Sequence, residues 1–128
     1  IFRARHAPIG IFMFNFSKSL AAWGNAEFDS VLKAEIENLD GNLLPLQEGL
    51  ARTSYAITED FAAIILAVAE LPDSLQAKVG LSYSGVIPGC SCADDPTPID
   101  EVPEYCVVQF DIDKQTAIAR VCLLDDIA

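Results

Sequence analysis

The alternation of apolar and polar residues in the C-terminal half of the chain constrains its fold most strongly. Apolar side chains occupy every second position in Leu75–Tyr83, and again in Cys106–Ile112 and Ala117–Leu123. Because successive side chains of a β-strand point to opposite faces, this pattern is typical of strands with one buried face. The sequence therefore predicts antiparallel strands joined by short turns.

The first hairpin is predicted around Leu71-Pro72-Asp73-Ser74, which is typical of a type I turn. This turn would join residues 61–70 to the strand that begins at Leu75. Residues 61–70 also have the spacing of an amphipathic helix, preceded by a capping sequence at residues 58–60, so a helix is the alternative. A strand is favoured because a single hairpin then explains both apolar runs.

The second hairpin is predicted to turn tightly at Lys114-Gln115. In the register that follows, Phe110 lies opposite Ala119 and Val108 lies opposite Val121. This register buries the apolar partners of both strands on one side of the sheet.

Two further elements are predicted in the N-terminal half. Ile9–Phe16 is nearly apolar on both faces of an extended chain, which favours a strand that is buried or sandwiched at an interface. Residues 25–41 carry apolar side chains along one helical face. Asn25 is the expected cap of this helix, and Gly41 stands where a left-handed C-terminal residue is expected.

Together these elements predict an α+β fold in a single domain over residues 1–128. The expected architecture is a four- to five-stranded antiparallel sheet, with two hairpins near the C-terminal half and one main helix packed on one face. A chain of this length buries about two-thirds of its unfolded surface on folding, so it needs no disulfide bond to fold.

Composition narrows the choice of partners. Hydrophobic residues make up 52% of the chain, and we expect part of this apolar surface to be covered in a homo-oligomer. A net charge of −11 disfavours nucleic acids and anionic membranes as partners, and leaves a protein partner open. The longest apolar run, Phe61–Ala69, is about half as long as a membrane-spanning helix. Nothing else indicates an oxidising compartment, so we expect reduced thiols and a cytoplasmic location.

Residues 88–103 form a long segment with no helix or strand pattern, and they hold four of the seven prolines. A loop of this length inside a small domain is usually functional or disordered. Since proline restricts its own backbone and that of the preceding residue, we expect a rigid loop. Its chemically reactive groups are two thiols and two carboxylates within six residues: Cys90, Cys92, Asp94 and Asp95.

A metal site is the sharpest hypothesis for this Cys/Asp loop. Cys90 and Cys92 could bind one ion through their thiolates, with Cys106 and Asp94 as further ligands, and zinc suits such a mixed set. The spacing is not a standard zinc motif, and Cys122 is predicted to lie on the opposite sheet face from Cys106. Two other interpretations stay open: a strained, redox-active Cys90–Cys92 disulfide, and cysteines that are simply small buried side chains.

No complete catalytic motif occurs in the sequence. Gly80–Gly85 approaches a nucleophile elbow, but Ser84 replaces its second glycine, and Asp111 and Asp113 begin a calcium loop that lacks its glycine. We therefore expect a small non-catalytic binding or structural module with a rigid Cys/Asp loop. The alternative is a small enzyme or thiol-redox protein that uses the loop from Cys90 to Glu101 at a protomer boundary.

Overall fold

A computed structural model describes residues 13–87 and 101–124 and has an α+β architecture. Its strands are β1 (Met13–Asn15), β2 (Tyr55–Glu70), β3 (Ser74–Val86), β4 (Glu101–Asp113) and β5 (Ile118–Leu123). All pairings are antiparallel, and the described strands form one sheet of five in the order β1-β5-β4-β3-β2. The predicted fold class and sheet are confirmed at this level.

The described part of the N-terminal strand is more exposed than the sequence predicts. Only Met13–Asn15 form a strand among the described residues, and Ile9 to Phe12 lie outside them. Phe14 and Phe16 are buried, whereas Met13 is 52% exposed. Within the described residues β1 therefore buries only the face that carries Phe14, and its other face is exposed. A place for this strand at an interface stays a prediction.

Two α-helices follow β1, namely α1 (Ser17–Ala21) and α2 (Phe28–Glu37). The second confirms the predicted helix, but neither predicted terminus is right. Asn25 belongs to a turn that precedes the helix, where its carbonyl oxygen accepts a hydrogen bond from the N–H of Phe28. The helix ends at Glu37, and its C-cap residue, Asn38, has right-handed geometry.

Gly41 has a different role from the predicted helix cap. It begins a 3-10 helix, Gly41–Leu43, and Asp40 caps this helix by accepting a hydrogen bond from the N–H of Asn42. A side chain at position 41 would place its Cβ 2.0 Å from the carbonyl oxygen of Thr58. Glycine is required there because two backbone segments approach closely.

The first predicted hairpin is confirmed, and residues 61–70 are strand. They form the second part of β2, which pairs with β3 from Tyr55–Val86 to Glu70–Leu75. The register shifts twice along this pair, between Ile57 and Ala62 and between Ile65 and Ala67. The apolar run of residues 61–69 thus belongs to the β2–β3 ladder, and β2 bends at each of the two register shifts.

The second hairpin has the predicted strands but a different register. Phe110 lies opposite Val121 and Val108 lies opposite Leu123, a displacement of two residues from the prediction. Since side chains alternate with a period of two, this displacement leaves every side chain on its predicted face. The strands were therefore predictable, but the pairing between them was wrong.

The turn of this hairpin explains the difference in register. The carboxylate of Asp113 accepts hydrogen bonds from the N–H groups of Gln115 at 2.7 Å and Thr116 at 3.1 Å. Ala117 then adopts a left-handed φ of 63°, and its N–H donates to the carbonyl oxygen of Asp113 at 2.8 Å. Residues 114–117 connect the strands in place of the predicted two-residue turn.

One buried cluster joins the helices to the sheet. Phe28, Leu32 and Ile36 of α2 belong to the same hydrophobic core as the alternating residues of β3 and β4. The centres of the Phe16 and Phe110 rings are 5.3 Å apart. Within residues 13–87 and 101–124, no helix is long and apolar enough to cross a membrane.

Candidate binding site at the β3–β4 hairpin

The β3–β4 hairpin carries the segment that contains the predicted site. Its two strands pair without a register shift from Ser74–Asp113 to Val86–Glu101. Strands of this length extend about 40 Å at the usual rise per residue. Pro103, predicted in the loop, lies within β4 opposite Ser84. Proline has no N–H to donate to a neighbouring strand. This does no harm at Pro103, because β5 pairs with β4 only as far as Val108.

The predicted metal ligands divide into two groups. Cys90, Cys92 and Asp94 lie outside the described residues, whereas Cys106 is in β4. Cys106 is five residues from Glu101, which corresponds to about 17 Å along a strand. No cluster of three or more His, Cys, Asp or Glu side chains that could hold a metal occurs in the described part of the chain.

The thiol of Cys106 is enclosed in the core beneath the connection from α2 to β2. Cys106 is 7% exposed, and a Cβ added to Gly49 would lie 2.9 Å from its Sγ atom. Burial raises the pKa of the Cys106 thiol to about 11. The hydrogen bond with Tyr83 lowers this pKa, but its effect is smaller than that of burial. The thiol is therefore protonated at neutral pH in the metal-free protein, which disfavours nucleophilic attack.

Tyr83 links the same connection to the sheet. Its hydroxyl group donates a hydrogen bond to the carbonyl oxygen of Leu46 at 2.6 Å, and its side chain is 4% exposed. Burial is the main cause that raises the pKa of Tyr83 well above its usual value, and the neighbouring Cys106 adds to this effect. Tyr83 therefore acts as a neutral hydrogen-bond donor that fixes the connection.

Glu104 is the most buried charged side chain in the described structure, at 4% exposure. Its carboxylate accepts hydrogen bonds from the N–H groups of Ala51 at 3.0 Å, Arg52 at 2.9 Å and Thr53 at 2.8 Å. The hydroxyl group of Thr53 donates a fourth bond at 2.8 Å. Burial alone would raise the pKa of Glu104, but these four bonds outweigh it and lower the pKa below its usual value.

A small cavity lies beside Cys106, just past the end of β5. Its walls include Gly49 and Ala51 of the connection and Leu123 of β5, and its volume is about 220 Å³. Typical ligand pockets measure roughly 300–1,000 Å³. The cavity is therefore too small for a cofactor or a substrate of ordinary size.

Cys122 lies on the other face of the sheet, as the sequence predicts. It pairs with Gln109 across β4 and β5, whereas Cys106 faces the core cluster. Burial raises the pKa of the Cys122 thiol, and the charge of Asp111 adds to this effect. Both described cysteines are free, and they do not form one site.

Sequence reasoning missed Glu104 and Tyr83. The signal for Glu104 was available, since it precedes Cys106 by two residues and so lies on the inward face predicted for β4. A charged residue at an inward position indicates a specific partner, because a buried carboxylate without hydrogen bonds is strongly unfavourable. Its partners, backbone N–H groups some fifty residues earlier, carry no signal in the sequence.

Known proteins do not assign a function to this hairpin. Comparisons with protein-family models, curated proteins and solved structures found no match. The function is therefore inferred from the contacts and chemistry of the chain itself.

Proposed function

We propose that the protein is a small non-catalytic binding module, and that its binding element is the Cys/Asp loop, which ends where β4 begins at Glu101. The observation that supports this proposal is the continuous β3–β4 ladder, which holds the two ends of the loop together at the Val86–Glu101 pair. A ladder with no shift over thirteen pairs makes a firm base for a loop that has to recognise a partner. The proposal includes a main helix, α2, packed on one sheet face and a cytoplasmic location with reduced thiols.

The clamp at Glu104 strengthens this base. Four hydrogen bonds tie β4 to residues 51–53 within three residues of the Glu101 end of the loop. Bonds to a charged acceptor are stronger than neutral ones. The hairpin is thus braced close to the point where the loop begins, and this favours presentation of the loop over movement of its base.

The surroundings of the buried reactive side chains favour a binding role over an enzymatic one. Three buried side chains could take part in a reaction, and structural contacts hold each of them in place: Glu104, Tyr83 and Cys106. A catalytic residue needs access to substrate and a pKa matched to its role. The protonated Cys106 thiol and the fully bonded Glu104 carboxylate have neither property.

In its metal-dependent form the proposal places zinc on the loop, with Cys90, Cys92 and Asp94 as ligands. Cys106 was the remaining candidate, but its environment fits the metal poorly. The thiol is enclosed in the core, and ligation would require displacement of Gly49, which lies against it. We therefore assign Cys106 to the core and the other three residues to the metal.

Metal analysis of protein purified without added metal tests this assignment. We expect about one equivalent of zinc in the wild type and in the C106S variant, and loss of zinc from a C90S/C92S double variant. The C106S variant is the matched control, since it also removes one sulfur. Less than about a tenth of an equivalent in the wild type would exclude the metal form. Loss of zinc from C106S with its fold intact would return Cys106 to the ligand set.

A further inference from the structure

The strand β2 forms one edge of the sheet and exposes an unusual amount of apolar surface. Its residues 61–69 carry no charge, and Ala63 alone among them is buried. Ile64 is 50% exposed and Leu66 is 43% exposed. A long apolar edge strand is a template for pairing with strands of other molecules, so a protein that carries one needs a means to block it.

The backbone of β2 also has groups that point away from β3. The N–H of Leu71 donates to the carbonyl oxygen of Ser74, which closes the hairpin. From this pair, the alternation of an antiparallel ladder directs the N–H and C=O groups of Val68 outwards and, beyond the register shift, those of Ile65 and Ala63. A strand of another molecule would have to form its hydrogen bonds with these groups.

Glu37 occupies one of these outward positions. Its carboxylate accepts a hydrogen bond from the N–H of Ala63 at 2.9 Å, so the chain itself uses this donor. A strand that paired with β2 at Ala63 would have to displace the carboxylate. The displaced charge would then lie at the border of the new contact without this hydrogen bond, which is unfavourable.

Two features fix the Glu37 carboxylate at the edge. Lys33, one turn earlier in α2, forms an ion pair with it. The hydrogen bonds from Lys33 and from the N–H of Ala63 lower the pKa of Glu37, so the carboxylate is charged at neutral pH. Glu37 also follows Ile36, which is fully buried in the core and anchors the end of α2.

The contact with Glu37 lies in a regular part of the edge. Residues 62–65 pair with β3 without interruption, between the two register shifts of β2. Register shifts disturb the pairing of an added strand, so they protect the ends of this stretch but not its middle. The middle contains Ala63 and the exposed Ile64, and the Glu37 carboxylate lies there.

We propose that Glu37 is an edge-blocking residue, whose carboxylate prevents the β2 edge from pairing with strands of other molecules. Charged side chains placed at the edges of apolar strands commonly have this effect. The net charge of −11 acts in the same direction, but its repulsion is spread over the surface and weakened by salt. The Glu37 contact instead acts at one N–H. This inference does not depend on the function proposed for the loop.

Aggregation of the full chain at about 100 μM and physiological salt tests the role of Glu37. Thioflavin fluorescence and the amount of sedimentable protein measure association through strands. We expect E37A to aggregate about tenfold faster than the wild type, which corresponds to the loss of one hydrogen bond to a charged group. The matched control is D29A, which removes the same charge from an exposed position in α2 and should behave like the wild type.

A second substitution shows whether aggregation proceeds through the β2 edge. In E37A/I64K a new charge lies on the exposed side chain next to Ala63, so the rate should return to that of D29A. Urea well below the unfolding transition separates edge pairing from unfolding. Aggregation of unfolded chains accelerates in such urea, whereas pairing of a native edge does not.

Three results would overturn the proposal. They are an E37A variant that aggregates no faster than D29A, an E37A/I64K variant that aggregates as fast as E37A, and acceleration of E37A aggregation by low urea. If E37A does not fold, E37Q is measured in its place by the same criteria. Its amide keeps an acceptor for the N–H of Ala63 but has no charge, so it too should aggregate faster than D29A.

Discussion

At the scale of single residues, the buried polar groups gather where β4 meets the connection that precedes β2. Transfer of the Glu104 carboxylate from water into this interior is unfavourable, and the donors of residues 51–53 offset that penalty. The same donors belong to a segment without strand or helix, whose backbone groups have to find partners elsewhere. The carboxylate and the connection thus stabilise one another.

Replacement of Glu104 by Gln should destabilise the protein by about 2–3 kcal/mol. The amide keeps one oxygen to accept hydrogen bonds, but its NH₂ group faces N–H donors and leaves them unpaired. Urea denaturation at neutral pH measures the free energy of unfolding. The control is E101Q, an exposed residue on the same strand, which should change that energy by less than about 0.5 kcal/mol. An E104Q variant as stable as E101Q would contradict the role assigned to the clamp.

At the scale of elements, the strands were predictable because alternation depends on neighbours in the sequence. The register of β4 on β5 was not, since it depends on the Asp113 side chain and on the left-handed backbone of Ala117. Alternation alone cannot distinguish two registers that differ by two residues, because both bury the same faces. The turn chemistry chooses between them.

The short helix α1 and the ends of α2 escaped prediction for a related reason. Five residues of helix are too few to show a periodic pattern. They are held by tertiary contacts, such as the hydrogen bonds that the Glu35 carboxylate accepts from the N–H and hydroxyl groups of Ser19. Contacts between residues distant in sequence decide such elements, and propensity contributes little.

The turn at Asp113 predicts a specific dependence of stability on pH. Hydrogen bonds from Gln115 and Thr116 lower the pKa of Asp113, so the folded state favours the charged carboxylate. The extra stability is present above the pKa of the unfolded state, about 3.9, and is lost as pH falls through the lower folded value. Asn at this position still accepts both bonds but does not titrate.

We therefore compare the free energies of unfolding of the wild type and D113N over this range of pH. The wild type should be more stable near neutral pH, and the difference should disappear under acidic conditions. The D113A variant serves as control, because it lacks the turn acceptor and should be less stable than D113N at every pH. A constant difference between wild type and D113N would show that the Asp113 charge has no part in the turn.

At the scale of the whole molecule, the sequence predicted the faces of β3, β4 and β5, but not the surroundings of Cys106. The enclosure of Cys106 depends on Gly49 and Tyr83, which approach it from two other parts of the chain. The face of Cys122 was predictable because it follows from alternation within one strand. Residues that alternation places were thus foreseen, and residues that long-range packing places were not.

Removal of the loop tests whether the protein needs it in order to fold. In the β3–β4 ladder, alternation makes Gly85 and Val102 a hydrogen-bonded pair, which is the pair that a two-residue type I′ turn closes. Replacement of residues 86–101 by Asn-Gly should therefore leave a folded hairpin. A shorter loop costs less closure entropy, so the free energy of unfolding should stay the same or rise by up to about 2 kcal/mol.

The shortened variant should also lose bound zinc, because the three proposed ligands lie in the removed segment. Metal analysis and urea denaturation of the same sample separate metal binding from stability. A variant that does not fold would show that the loop supports the core, as it would if its cysteines were only buried side chains. Retention of structure with loss of zinc is the outcome that the proposed function requires, because the braced β3–β4 hairpin would then fold without the metal-binding loop that it presents.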